Sequence, residues 1–312
     1  MVHNILVTGG AGYLGSILVP ELLRMGHRVT VLDNFTYKQN SLAHVCNDSN
    51  FQIIKGDVRL KETLLPLINK VEIIIPLAAL VGAPLCDRDP VNAKTINRDS
   101  MLALFELAKD EQYILMPTTN SAYGYGDINN LCSENSELRP ISQYAQEKVE
   151  VEKNLMSRPN SISFRLATVF GMSPRMRIDL LVNDFVYRAI HDRFVILFES
   201  HYKRNYIHIR DVTRVFLHAI KNQDRMKGQI YNVGLSEANL SKRELCERIQ
   251  KHVPEFIIQE AKIGKDPDQR NYIVSNEKIE KTGFKPAYSL DSGIKELIKG
   301  YSMLQNTRYS NI

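Results

Sequence analysis

The sequence predicts an α/β fold, a doubly wound parallel sheet with a smaller α+β lobe beside it, and three observations carry that prediction. From residue 1 to about 170, short apolar runs of strand type alternate with segments of helical period. Such alternation implies right-handed crossovers and a parallel sheet covered on both faces. A glycine-rich stretch, Thr8-Gly9-Gly10-Ala11-Gly12-Tyr13-Leu14-Gly15, joins the first run to the first helical segment. Past residue 170 the character changes, and basic loops separate the elements.

In chain order, the candidate strands of the first part are 4–8, 28–32, 51–55, 71–77, 113–117 and 161–166. Ile73-Ile74-Ile75 and Ile114-Leu115-Met116 are apolar on both faces, as central strands must be. The first helix starts at Ser16, where apolar positions recur at helical spacing. In the second part, helices are expected over 179–190, 211–221, 241–251 and 290–303, and strands over 206–209 and 229–233. Ser241 is the N-cap of its helix, with Glu244 completing a capping box. Basic loops fall at 171–177 and 201–205, and a polar loop at 265–270. No repeat, low-complexity tract or flexible linker occurs. The expected division is a Rossmann-type unit of 1–170 with 206–235, and a smaller lobe of 171–205 and 236–312, packed directly on the first.

The glycine turn carries the first chemical signal. Its spacing is Gly9-x-x-Gly12-x-x-Gly15, with Tyr13 and Leu14 inside it. Between a strand and a helix, glycines remove the side chains that would hold a pyrophosphate away, and the helix N-terminus faces the anion. Asp33 closes the second strand, where a carboxylate accepts hydrogen bonds from an adenosine ribose and favours NAD over its 2′-phosphorylated counterpart.

Ligands of such sheets bind beyond the carboxyl ends of the strands. Those ends read Asp33-Asn34, Gly56-Asp57-Val58, Leu77-Ala78-Ala79-Leu80-Val81 and Thr118-Thr119-Asn120-Ser121. Ala78-Ala79 lets a flat ring or ribose approach the backbone. Asp57 has two readings: acceptor for an adenine amine, or turn-capping aspartate.

Composition narrows the class. Forty basic and 35 acidic residues leave a formal charge of +5, with no long basic run, which argues against a nucleic-acid binder. Cys46, Cys86, Cys132 and Cys246 lie far apart with no companion histidines at ligand spacing, so neither a metal nor disulfides are expected. The most apolar stretch, 73–85, contains Pro76 and Pro84 and falls short of the ~20 residues a membrane span needs. A strand begins by the fourth residue, so no secretion signal is expected, and the location expected is the cytoplasm.

The catalytic signal lies in Pro140-Ile141-Ser142-Gln143-Tyr144-Ala145-Gln146-Glu147-Lys148, which opens a helix and sets Tyr144 and Lys148 four apart on one face. A phenol of pKa near 10 is a poor base at neutral pH, and a neighbouring ammonium with a cationic nicotinamide favours its phenolate. Tyr144 then removes a proton from a sugar hydroxyl as hydride leaves the same carbon. The pair follows the fifth strand, which Thr119 ends. A solvated surface pair is the plain alternative.

Together, Thr-Gly-Gly-x-Gly-Tyr-Leu-Gly, Asp33-Asn34, Gly56-Asp57-Val58, Thr119-x-x-x-Tyr123-Gly124, Pro140-x-Ser142-x-Tyr144-x-x-x-Lys148 and Arg204-Asn205-Tyr206-Ile207-His208-Ile209-x-Asp211-Val212 resemble the extended short-chain dehydrogenase/reductases that act on nucleotide sugars. Within them, residues 78–86, 119–121 and 165–171 are most similar to the GDP-D-glycero-D-manno-heptose 4-dehydrogenases of capsule heptose synthesis. The resemblance implies a triad of Thr119, Tyr144 and Lys148, with NAD along the strand ends and supported by Asn97. It implies substrate contacts from Asn120, Ser121, Thr168, Leu180 and Asn183, and substrate-pyrophosphate contacts from Arg204 and Arg270. A guanidinium fork suits two anionic oxygens better than an ammonium does; pairing of either arginine with Asp211 or Asp268 is the plainer reading.

Departures from the family pattern sharpen the expectation. In 4,6-dehydratases an acid pair follows the threonine, whereas here Asn120 and Ser121 stand there, and neither is a carboxylic acid that could move the protons of a departing water. Thr168 replaces an asparagine of many 4-epimerases. The expectation is NAD-dependent oxidation of a nucleotide sugar at C4, with a 4-epimerase as the alternative and a non-catalytic dinucleotide sensor as the distant one. The resemblance also implies a homodimer through helices 100–109 and 143–155, to which Met101, Leu104, Phe105 and Leu107 offer apolar surface.

Overall fold

A computed structural model describes residues 1–126, 130–261 and 269–304. Residues 265–268 of the expected polar loop, Asp268 among them, lie outside the described residues.

The first part runs β1 (Asn4–Thr8), α1 (Gly15–Arg24), β2 (Arg28–Asp33), β3 (Phe51–Lys55), α2 (Lys61–Ile68), β4 (Ile73–Pro76), α3 (Ala83–Arg88), α4 (Pro90–Lys94), α5 (Ser100–Leu107), β5 (Tyr113–Thr119), α6 (Gln143–Leu155) and β6 (Ser161–Leu166). The second continues with β7 (Thr168–Phe170), α7 (Leu181–His191), β8 (Phe194–Leu197), β9 (Lys203–His208), α8 (Ile209–Lys221), α9 (Gln223–Met226), β10 (Gln229–Val233), β11 (Asn239–Ser241), α10 (Lys242–Gln250), β12 (Ile257–Glu260), α11 (Glu277–Glu280) and α12 (Leu290–Tyr301).

Seven strands form one parallel sheet in the order β10-β6-β5-β4-β1-β2-β3. Strand alternation sends Ile5 and Val7 to one core with α1 and α8, and Leu6 to another with α2, α5 and α6. The sheet is therefore covered on both faces, as alternation predicts. Helix α8 shows the helical stripe: Val212, Val215, Phe216 and Ala219 are buried, and Phe216 meets Phe164 of β6 edge-on at 5.2 Å. The order reverses direction at β1 and β4, which opens a crevice beyond their carboxyl ends.

The stretch 206–235 divides between two sheets. Strand β9 pairs with β7 and β11 in a three-stranded sheet, while β10 supplies the edge of the large one. Strand β8 pairs with β12 in a two-stranded sheet. The core around α1 continues without a break into Leu290, Ile294, Leu297 and Tyr301 of α12, so the smaller lobe shares the interior of the larger. The capping box at Ser241 is present, with Glu244 accepting from the Ser241 amide at 2.7 Å. Helix α7 starts at Leu181, later than expected, because Leu180 is extended and Asp179 is ion-paired with Arg177.

Helix α6 is tied to the sheet by a buried pair: Arg165 of β6 donates to Glu152 at 2.6 Å, and Thr118 and Ser163 donate to the same carboxylate. Of the residues expected to offer a dimer surface, Met101, Leu104 and Phe105 are buried in the chain's own core. Leu102 and Leu107 of α5 are only partly buried, and Arg98, just ahead of α5, bridges to Glu150 of α6 at 2.6 Å. No helix among the described residues is long and apolar enough to cross a membrane.

Candidate active site

The crevice is a cleft of about 1840 Å³, its open mouth included. The glycine turn forms one wall through Gly9, Gly12, Tyr13, Leu14 and Gly15. Gly9 has φ +68°, and a Cβ there would meet Ala78 N at 2.5 Å; a Cβ at Gly12 would meet only Gly9 O and otherwise fill the cleft. The turn is thus shaped for a group lying against the backbone at the mouth of α1, which fits a dinucleotide diphosphate.

At the end of β2, Asp33 accepts from Ala11 N at 3.0 Å and Phe35 N at 2.8 Å, and burial raises its pKa. Asn34, Val58, Leu77, Ala78 and Ala79 line the same cleft. Asp57 lines it too, but its carboxylate caps the turn, accepting from Arg59 N at 2.9 Å and from the Arg59 guanidinium, which lowers its pKa.

Asn97 is placed differently from the expectation. It lies fully buried behind the wall, where its Oδ1 accepts from Leu80 N at 2.9 Å and its Nδ2 donates to Leu80 O at 3.0 Å. It also reaches Glu147 of α6 at 3.3 Å. Its side chain is used up in pinning the strand-end loop to α6, so it can support a cofactor only through Leu80.

Thr119, Tyr144 and Lys148 converge on the cleft. Ser142 caps α6 by accepting from Ala145 N at 3.3 Å, which sets Tyr144 in the first turn. Thr119 Oγ1 donates to Ser121 Oγ at 2.9 Å and accepts from Ser121 N at 3.0 Å. Burial pushes Tyr144 up to about 12, opposed by Arg177 and Arg270, while burial brings Lys148 down to about 8. Two arginines, Arg177 and Arg270, therefore add to the cationic field on the phenol. Cys86, a free thiol beside these groups, is pushed up to about 11 by burial.

Of the expected substrate residues, Ser121, Thr168, Leu180 and Arg270 line the cleft, and Arg270 donates to Ser121 Oγ. Three do not. The Asn120 amide is sealed behind the turn with no hydrogen-bond partner among the described residues. Asn183 is consumed in tying the second lobe together, accepting from Gly171 N at 3.0 Å and donating to Tyr13 Oη at 3.2 Å and Arg177 O at 2.8 Å. Arg204 lies in the middle strand of the small sheet, buried, with its guanidinium 5.6 Å from the Tyr272 ring. Asp211 pairs with Arg214 rather than with Arg204.

A model of the NAD dependent epimerase/dehydratase family matches residues 5–234, which include the glycine turn and the Thr119, Tyr144 and Lys148 positions. The chain belongs to that family. Its cofactor is accordingly NAD. A relative named as a UDP-N-acetyl-alpha-D-glucosaminuronate decarboxylase from Bacillus cytotoxicus is 25% identical over 98% of this chain and 100% of its own. A putative UDP-glucose 4-epimerase from Methanocaldococcus jannaschii is 27% identical over 94% of this chain and 97% of its own. The UDP-glucose 4-epimerase of Thermus thermophilus, solved in complex with NAD, shares the fold with TM-score 0.83 at 23% identity, over 96% of this chain and 99% of that one.

In this member of the epimerase/dehydratase family, Gly9, Gly12, Asp33, Ala78 and Lys148 stand where NAD would be held, and the group supplies hydride acceptance when bound. Sequence reasoning missed Tyr37, Arg175 and Arg177, all cleft-lining. Arg177 is ion-paired with Asp179, and Arg175 lies with its guanidinium carbon 3.8 Å from the Tyr37 ring centre. The signal that could have found the arginines is the basic loop 171–177, which follows a strand end directly.

Proposed function

We propose that this chain oxidises a nucleotide-linked sugar at C4, with a GDP-heptose as substrate and its 4-keto form as product, in the synthesis of capsular or surface polysaccharide sugars. The observation that carries the reading is the convergence of Thr119, Tyr144 and Lys148 on one cleft, with Asn120 and Ser121 in the positions where a dehydratase has its acid pair. Tyr144 takes the proton of the C4 hydroxyl, Thr119 steadies the reacting oxygen, and Lys148 holds the ribose beside the base. Without a carboxylic acid at 120 or 121, the neighbouring carbons lack a group to drive loss of water. The names of both relatives include a nucleotide sugar, which supports the substrate class. The similarity of residues 78–86, 119–121 and 165–171 to GDP-heptose 4-dehydrogenases supports the base and the sugar. The protein works as a homodimer in this reading.

The test is incubation of the purified protein with NAD and, separately, GDP-D-glycero-D-manno-heptose, UDP-glucose and a UDP-hexuronic acid, followed by mass spectrometry. A GDP-heptose product lighter by two hydrogens is expected. Recovery of only an isomer of unchanged mass identifies a 4-epimerase, and loss of water or carbon dioxide identifies a dehydratase or a decarboxylase. Turnover surviving unchanged in Tyr144→Phe would overturn the assignment of the base.

A further inference from the structure

The loop Gly171–Arg177 of the second lobe is fastened to the glycine turn at several points. Tyr13 Oη donates to Gly171 O at 2.7 Å, Ser173 Oγ donates to Tyr13 O at 2.9 Å, and Ser173 Oγ and Ser16 Oγ are 2.7 Å apart. Arg175 N donates to Ser16 Oγ at 3.4 Å. From that anchorage the Arg175 side chain runs along the cleft, 1% exposed, with its Nη1 donating to Met176 O at 2.7 Å.

Tyr37 approaches from the other side, out of the loop that follows β2. Two non-glycine residues flank it in the left-handed region, Phe35 at φ +54° and Lys38 at φ +52°. Asp33 Oδ1 holds Phe35 N at 2.8 Å, and Lys38 N donates to Phe35 O at 3.0 Å. Strain of this kind persists only where surrounding contacts enforce it, and it gathers at ligand clamps. Its result here is a phenol ring stacked on the Arg175 guanidinium at 3.8 Å, joining the two walls of the cleft.

We propose that Arg175 is a ligand of the cofactor diphosphate, held by Tyr37 in a clasp across the cleft. The mouth of α1 presents backbone amides and a positive dipole end to one side of the diphosphate. Arg175, anchored to Ser16 in the first turn of α1 and lining the same cleft, supplies a full counter-charge from the other side. Its stack on Tyr37 fixes the guanidinium plane in advance, so less freedom is lost when the anion binds. A stack joining the two walls of the cleft also slows the release of a dinucleotide held between them.

Binding of NADH, ADP-ribose and adenosine to the cofactor-stripped protein tests this, with NADH release followed by stopped-flow fluorescence. Arg175→Met is expected to weaken NADH and ADP-ribose about tenfold to hundredfold, as loss of a charged hydrogen bond does, and to leave adenosine unchanged. Equal weakening of adenosine, or unchanged ADP-ribose binding, overturns the proposal. If Arg175→Met fails to fold, Tyr37→Ala serves instead. About tenfold faster NADH release is then expected, against little change in Tyr37→Phe, and unchanged release in Tyr37→Ala refutes the clasp. None of these readouts depends on the sugar substrate, so a wrong sugar assignment leaves the result interpretable.

Discussion

Thr119 Oγ1 donates to Ser121 Oγ at 2.9 Å and accepts from Ser121 N at 3.0 Å, so one residue orients the threonine hydroxyl through both its side chain and its backbone. Removing Ser121 Oγ leaves the backbone half in place. A neutral hydrogen bond contributes roughly 0.5–1.5 kcal/mol, so Ser121→Ala is expected to lower kcat about 2- to 10-fold with NAD affinity unchanged. Steady-state kinetics with binding of NADH measured alongside checks both halves.

Arg177 bears on the Tyr144 phenol. Burial raises the Tyr144 pKa and the Arg177 and Arg270 charges oppose it, so removing a cation raises it further. At any pH below that value less phenolate is then present. Arg177→Met is therefore expected to move the rising limb of the kcat profile to higher pH, lowering kcat at every pH on that limb. An unshifted profile would show that Arg177 does not bear on Tyr144.

Lys148 costs the fold stability at neutral pH. Its pKa falls from 10.5 to about 8 on burial. Between those values the unfolded chain binds the extra proton, so stability rises with pH across that window, and below about 8 the whole cost is borne. Lys148→Met removes it, on the order of 3 kcal/mol at most. The expected result is an inactive protein with Tm raised by several degrees at pH 7 and a gap that narrows as pH climbs toward 10. Melts are best kept below pH 10, where Tyr144, raised by burial, begins to cost stability instead.

Self-association through α5 and α6 would rest in part on the charges of Arg98 and Glu150. Met101, Leu104 and Phe105 face inward, and Arg98, just ahead of α5, is paired with Glu150 of α6 and with Asp99, each at 2.6 Å. Exposed ion pairs weaken with salt. Sedimentation velocity is expected to show a dimer at low ionic strength that loosens at 1 M salt. Arg98→Glu, which sets like charges side by side, is expected to be monomeric in both, whereas a salt-independent dimer would point to a different face.

Local signals made most of the fold legible. Strands β1, β3 and β6 fall where their apolar runs lie, and the capping box of α10 forms because its partners are three residues apart. The glycine turn, Asp33, Thr119 and the Tyr144–Lys148 pair are likewise short motifs whose chemistry depends on spacing along the chain, so the sequence by itself determined the parallel sheet and which of these residues line the cleft. Tertiary structure decided whatever depends on which face a side chain meets. It turned Arg204 onto Tyr272 and spent Asn183 on Gly171 and Tyr13. It also brought Arg175 from the second lobe onto Tyr37, residues 138 apart in sequence. No periodicity encodes such a meeting, because burial and long-range hydrogen bonding between two loops choose it only once the sheet has formed.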